Sequence, residues 1–409
     1  MSRVLRARWV LPIDRPPLEN GWVEAADGRI TGVGRGRPPA EPTDLGDVAL
    51  LPGLVNAHTH VELSWMAGLV PPAAAMPDWI QELLHQRWAG PAGGPEVGTR
   101  AARAAIEVMR ATGTVLVGDI SNQLTTPALL REAGLGGVVF HELLGLVVPD
   151  PAKLVREAWR RVREAEASLA TARRPDEETL PLDLTVVAHA PYSVAPALFA
   201  EIARRANGAL LSVHLAESPE EIEFLRTGEG SFRRLIETLG LWTSAWRPPA
   251  CDPVRYLGDL GYLQPGLLVV HGVYLTDDNL ERLRRAGAVV VTCPRSNEWV
   301  GAGPPRLSRF YASGVRVAVG TDSLASCPSL NLFDELAEMR RIAPDVAAAS
   351  MLESATRIGA DALGLAADFG TIAPGKRDLF TAVSVPSGVA DVEEYLVSGV
   401  PADRIRPSA

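Results

Sequence analysis

The sequence predicts an α/β protein: a (β/α)8 barrel of the TIM type beside a small β-sandwich built from both termini. Three observations predict it. Eight short Val- and Leu-rich runs each end in a polar residue, amphipathic helical segments lie between them, and both ends of the chain carry turn-linked strand candidates instead. At 409 residues the chain is long enough for one large unit and one smaller one.

The first segment, 1–50, contains "RVLRARWVLP" and "WVEAADGRITGVG", short strand candidates joined by turns. Residues 367–409 contain "GTIAPGKRDLFTAVSV", which reads the same way around a Pro-Gly turn, so the two ends are expected to pair in one small domain. Residues 51–366 carry the eight runs: "GLVNAHTH" (53–60), "TVLVGDIS" (114–121), "GVVFHELLG" (137–145), "LTVVAHAPYS" (184–193), "ALLSVHLAES" (209–218), "LLVVHGVYL" (267–275), "AVVVTCPRSN" (288–297) and "VRVAVGTDS" (315–323). Near-continuous apolar strands imply burial on both faces, as in a parallel sheet. A doubly wound open sheet is the alternative, but no GxGxxG follows the first run. "PALFAEIARRANG" (196–208) has Pro at the start of a helix and Gly at its stop, and "TDDNLERLRRAG" (276–287) adds a capping residue. Two connections, 62–95 and 218–266, are long. Loops of that length are often functional, and the loops after barrel strands build the active-site face.

Composition narrows the function. A net charge of −9 without a basic tract argues against a nucleic-acid partner. No apolar stretch reaches 18 residues, so no membrane span is expected, and residues 1–12 lack the apolar core of a signal peptide. The three cysteines, Cys251, Cys293 and Cys327, are scattered and lack CxxC spacing, which fits a reduced, cytoplasmic protein. A homodimer is left open.

The stretch "LLPGLVNAHTHVELS" ends an apolar run with two histidines one residue apart. Residues i and i+2 of a strand share a face, so His58 and His60 point the same way. Two imidazoles on one face suit a metal; two hydrogen-bonded structural histidines are the alternative, and HxH alone is a weak signal. Of seven histidines, His58, His60, His141, His189, His214 and His271 lie at or just past run ends, and only His85 does not. Asp322 closes the eighth run, and Glu217 follows His214 by three residues. In a barrel these ends converge on one rim. His58, His60, His214 and Asp322 then form a nitrogen-and-oxygen set suited to zinc or a similar ion, with Glu217 placed to take a proton from an activated water.

"PGLVNAHTH", "HAPYS", "HLAES", "VVHGVYL", "CPRSN" and "GTDS", in that order, resemble the amidohydrolase superfamily, within it the branch of aromatic and nucleoside aminohydrolases and chlorohydrolases. The resemblance implies a (β/α)8 barrel with a β-sandwich from both termini. It implies one divalent metal, zinc or iron(II), on His58, His60, His214 and Asp322. Glu217 would shuttle protons, His271 and Asp322 would hold the attacking water, and His189 would lie at the substrate. A lysine-bridged metal pair is excluded, because neither lysine, Lys153 nor Lys376, lies near the fourth run. The family's usual C-terminal run appears one residue short, as "GTIAPGKRDLFTAV", which concerns the small domain.

"HTHVELS", "MPDWI", "DPVRYL" and "CPRSN" further resemble the aminofutalosine deaminases and close relatives. The substrate so implied is a small heterocyclic amine, an adenine nucleoside carrying a benzoate, 6-amino-6-deoxyfutalosine. Expected contacts are Glu62 at the purine edge, Trp79 (with Trp88) stacking or packing its loop, Asn297 of "CPRSN", and an arginine on the carboxylate. Arg295, Arg255 and Arg87 are candidates for the last. Chloride loss, deamination of a pterin, cytosine or triazine, and a non-catalytic barrel used as a binding module are the alternatives; the full ligand set speaks against the module.

Overall fold

The computed structural model describes residues 2–172 and 179–408. Its strands, in chain order, are β1 (Ser2–Val10), β2 (Leu18–Ala26), β3 (Arg29–Arg35), β4 (Thr43–Asp44), β5 (Val48–Pro52), β6 (Leu54–Thr59), β7 (Thr114–Ser121), β8 (Gly136–Leu143), β9 (Leu182–Ala188), β10 (Ser212–Leu215), β11 (Leu268–His271), β12 (Val289–Thr292), β13 (Arg316–Val319), β14 (Phe380–Ser384) and β15 (Ile405–Ser408).

The two ends of the chain meet in one mixed sheet of order β15-β14-β5-β1-β2-β3, with β4 beside β1. Asp27 and Gly28, both with positive φ (51° and 75°), turn β2 into β3. A two-residue loop of that geometry matches the strands' twist, which is why "DG" sits there. Phe380 pairs with Pro52 and Ser384 with Val48, so β14 is antiparallel to β5. Val10, Leu50, Ile372 and Phe380 share the apolar core of this sheet.

β6 to β9 form one four-stranded parallel sheet and β10 to β13 another, each in chain order. Every position of β6, β8, β11 and β12 is buried, so their runs read as continuously apolar rather than alternating. Helices cover the connections as their signals predicted. Pro196–Ala206 begins with proline, and Asn207 takes the left-handed stop one residue before Gly208. Asp277–Ala286 is capped by Thr276, whose hydroxyl accepts the Asn279 N–H at 3.2 Å, and ends at Gly287. No helix among the described residues is long and apolar enough to cross a membrane.

The edges of the two sheets touch. The His214 N–H donates to His189 O at 2.9 Å, joining the ends of β9 and β10. On the other side Thr59 bridges Asp322 in parallel fashion, and the Thr321 and Asp322 N–H groups donate to His58 O at 3.0 and 3.1 Å. The long connections fold into helices over these strand ends, Met76–Ala89 in the first and Pro219–Thr227, Ser231–Thr238 and Pro253–Asp259 in the second. Aromatic contacts hold the second connection: Phe224 stacks on Trp246 at 4.5 Å within it, and Phe232 stacks on Tyr192, just past β9, at 4.2 Å.

A side chain has no room at Gly320. A Cβ there would lie 2.6 Å from His58 O and 2.8 Å from His58 Cβ. Gly320→Ala is therefore expected to cost about 1–3 kcal/mol of stability through overpacking. Denaturant titration checks this, and an unchanged midpoint would contradict the close approach.

Candidate active site

Three imidazoles converge where the two sheets meet. His60 Nε2 lies 3.2 Å from His58 Nε2 and 3.3 Å from His214 Nε2. Asp322 Oδ1 lies 3.4 Å from His60 Nε2 and 3.8 Å from His58 Nε2. Strand alternation puts His58 and His60 on one face of the chain; the Thr59–Asp322 bridge brings the carboxylate to them. Burial, then neighbouring imidazoles, holds His58 well below the ordinary histidine range, His60 at about 3 and His214 at about 4. All three rings are thus neutral near pH 7, the form that ligates a cation. His214 Nδ1 donates to His189 O at 3.1 Å, which leaves its Nε2 lone pair facing the cluster. Asp322 Oδ2 accepts the Ser296 and Ser326 hydroxyls at 2.5 and 2.9 Å, which leaves Oδ1 facing it.

Beside this cluster Glu217 Oε1 lies 3.4 Å from His271 Nε2, both buried. Burial, then Asp322, pushes Glu217 well above the usual carboxylate range, so the group can carry a proton as well as release one. Its backbone is held from behind. Glu221 accepts the N–H of Ala216 and of Glu217, each at 2.9 Å, while Ser218 caps the helix that carries Glu221. Ala216, His271 and Asp322 all adopt positive φ (52°, 72° and 60°). Left-handed backbone at non-glycine residues costs on the order of 1–3 kcal/mol each and clusters at functional sites.

The site opens into a cavity of about 480 Å³ lined by His60, His189, His214, Glu217, His271 and Asp322 at its floor. Its walls are apolar: Met76, Trp79, Ile80 and Leu83 from the first connection, Phe232 and Ile236 from the second. Trp88, Leu144, Val147 and Leu241 are exposed and belong to the same lining. Arg87 is the one arginine or lysine in it among the described residues.

Of the residues picked out from the sequence, His58, His60, His214, Asp322, Glu217 and His271 come together. His189 and Trp79 line the cavity, and His189 Nδ1 lies 2.6 Å from Ser193 Oγ. Four candidate substrate contacts sit elsewhere. Glu62 turns away and spends its carboxylate on Ser121 Oγ (2.5 Å) and the N–H groups of Asn122, Gln123 and Thr125 (2.9–3.2 Å), where it ties down the turn after β7. Arg295 lies outside the lining, 3.6 Å from Asp334 and from the buried Glu335, and donates to Ser329 Oγ at 3.1 Å. Asn297 is buried behind His271, its Nδ2 2.9 Å from His271 Nδ1. Arg255 is on the surface near Asp259. His141 faces away too, its Nδ1 donating to Ser121 O at 3.1 Å.

Glu142 was missed. It lines the cavity, its Oε1 3.5 Å from His214 Nδ1 and its Oε2 accepting Asn122 Nδ2 at 3.0 Å. Neighbours on a strand face opposite ways, so the inward residue of the pair 141–142 had to be one or the other. The histidine drew attention; the pleat chose the glutamate.

A model of the amidohydrolase family matches residues 49–400. The aminodeoxyfutalosine deaminase of Deinococcus radiodurans is 33% identical over 365 residues, 84% of this chain and 80% of the relative. The 5-methylthioadenosine/S-adenosylhomocysteine deaminase of Nitratidesulfovibrio vulgaris is 30% identical, covering 88% of this chain and 78% of the relative. The crystal structure of Helicobacter pylori aminofutalosine deaminase in complex with methylthio-coformycin superposes with a TM-score of 0.82 at 26% identity, over 97% of this chain and 95% of that one.

The position of Arg295 makes it a structural cation. Arg295→Ala removes the guanidinium from Ser329, Asp334 and the fully buried Glu335. The expected loss is about 1–3 kcal/mol, read by denaturant titration; unchanged stability would contradict this placement.

Proposed function

The chain belongs to the amidohydrolase family, and we propose that it is a hydrolytic deaminase of an adenine-type nucleoside, with 6-amino-6-deoxyfutalosine as preferred substrate. The observation that carries this reading is the cavity floor, where the Glu217–His271 pair stands beside three neutral imidazoles and Asp322. Relatives named for aminodeoxyfutalosine and for 5-methylthioadenosine support the nucleoside.

The donor set fits one divalent metal per chain, zinc first and iron(II) second, on His58, His60, His214 and Asp322. With Zn–N of about 2.0–2.1 Å, two ligands of a tetrahedral ion lie roughly 3.3 Å apart, and the observed separations are 3.2 and 3.3 Å. When bound, the ion supplies Lewis acidity that brings a water's pKa toward about 7. The chain's residues do the rest. Glu217 takes the water's proton and passes it to the ring nitrogen next to the amino-bearing carbon, which makes that carbon a better electrophile. His271 and Asp322 orient the attacking oxygen. The remaining proton of that oxygen moves to the amino group, the C–N bond breaks, ammonia leaves, and a 6-oxo purine remains. The apolar walls and Trp79 would enclose the base and exclude bulk water.

Arg87 is the candidate reader of the substrate's carboxylate. Its Nη2 donates to Asn122 Oδ1 at 2.8 Å, and among the described residues no ion pair reaches it within 4.0 Å. A half-buried guanidinium beside apolar walls suits an anion at the end of an aromatic group. The apolar walls also favour a second reading, a 5-methylthioadenosine deaminase, in which Arg87 meets no carboxylate.

Three coarser proposals accompany this one. The two parallel sheets close into a (β/α)8 barrel over residues 51–366, as the contacts at both pairs of edges support. Residues 1–50 and 367–409 form a separate sandwich-like domain around their shared sheet. The protein works in the cytoplasm, which suits three unpaired cysteines.

Ammonia release across 6-amino-6-deoxyfutalosine, 5-methylthioadenosine, adenosine, a pterin, cytosine and a chlorinated triazine tests the function. Turnover confined to the last three would overturn it. Glu217→Gln is expected to keep the fold and lose roughly 10²–10⁴ in kcat; near-normal turnover would remove it as the shuttle. Arg87→Ala is expected to raise KM for the benzoate-bearing substrate far more than for adenosine. Equal losses on both would mean that Arg87 balances Glu142 rather than reading an anion.

A further inference from the structure

We infer that Asn297 is a positioning residue that fixes the tautomer of His271, keeping the ring proton on Nε2 so that His271 donates toward Glu217 and stays out of the metal's ligand set. The inference rests on the reading of the cavity floor given above. Asn297 belongs to the helix Pro294–Trp299 and is fully buried. Its backbone is anchored: its N–H donates to Cys293 O at 3.0 Å, and its carbonyl accepts the N–H groups of Ala302 and Gly303 at 2.9 and 3.2 Å. An amide nitrogen has only protons to offer. The 2.9 Å contact between Nδ2 and His271 Nδ1 therefore closes only when Nδ1 presents its lone pair. A ring whose Nδ1 accepts a hydrogen bond carries its single proton on Nε2. There it faces Glu217 Oε1 at 3.4 Å, donor to acceptor. Turning the amide over would strand the NH2 group in the interior instead of the carbonyl oxygen, which is the Asn297 atom left without a partner. Buried unpaired N–H groups are rarer in proteins than under-satisfied carbonyls.

The proton's position matters because His271 is close enough to ligate. The ligating nitrogens of His58, His214 and His271 all lie within 4.8 Å of one another. An imidazole whose Nε2 carries a proton has no lone pair there to give a cation. Asn297 thus separates three ligating histidines from a fourth that stands beside the proton shuttle Glu217.

The test uses the full chain loaded with Zn²⁺ and labelled with ¹⁵N-histidine. Long-range ¹H–¹⁵N spectra, with His271 assigned by comparison with His271→Gln, are expected to show a protonated Nε2 and an unprotonated Nδ1. Asn297→Asp replaces the donor by an acceptor and is expected to interchange the two nitrogens. It should also lower kcat on the preferred nucleoside on the order of 10²-fold or more, with KM little changed. A protonated Nδ1 in the wild-type enzyme, or an unaltered tautomer in folded Asn297→Asp, would overturn the inference. If Asn297→Asp does not fold, the wild-type spectrum decides alone. Failure of the wild-type enzyme on every adenine nucleoside, with His271 protonated on Nε2, would refute the reaction assigned above and leave this inference standing.

Discussion

The site depends on one contact, the meeting of β6 with the segment that follows β13. Thr59 pairs with Asp322, two successive N–H groups share the His58 carbonyl, and Gly320 lets the backbones approach to a distance no side chain would permit. Residues more than 260 positions apart in sequence are tied by a hydrogen bond from Thr59 Oγ1 to Asp322 O at 2.9 Å. Asn56 and Thr321 repeat the tie one layer below, at 2.8 Å. Shifting this register by one residue would send His58 and His60 to the opposite face of the strand. The carboxylate would then lose its imidazoles, and Glu217 and His271 would stand beside nothing to work on.

Around that contact the protein has assembled groups that oppose burial. Glu142, Glu217 and Asp322 share the cavity floor with His60, His189, His214 and His271, and His58 is buried beside them. Desolvation moves each toward its uncharged form, the carboxyls upward and the imidazoles downward. Such a floor suits chemistry in which protons must pass in both directions and in which a cation can be held by neutral nitrogens. The left-handed backbone at Ala216, His271 and Asp322 shows strain concentrated at the ends of the strands that aim these side chains.

The strands of the two parallel sheets were legible because burial on both faces writes itself as an unbroken apolar run, and each of the eight runs overlaps a strand. The metal-type residues were legible for a related reason: a histidine ending such a run has few places to point except the rim. Legibility ended where side-chain direction depends on neighbours distant in the chain. Glu62 and Arg295 lie just past strand ends, as catalytic groups do, yet each found partners in a neighbouring turn or helix. Asn297, expected at the substrate, lies instead behind His271, because nothing local distinguishes an amide that meets a ligand from one that meets a histidine. Glu142 was hidden by the histidine next to it. Glu221 left a signal that could have been read: Ser218 and Glu221 have the S-x-x-E spacing of a helix cap.

The central claim is that His58, His60, His214 and Asp322 form one metal site, with His271 and Glu142 outside it. Anomalous diffraction at the zinc edge from crystals of the zinc-loaded protein tests it most directly. The account predicts a single strong peak per chain, at about 2.0–2.2 Å from the Nε2 atoms of His58, His60 and His214 and from a carboxylate oxygen of Asp322. A peak centred among His58, His214 and His271, a peak between Glu142 and His189, or two peaks of comparable height would contradict it.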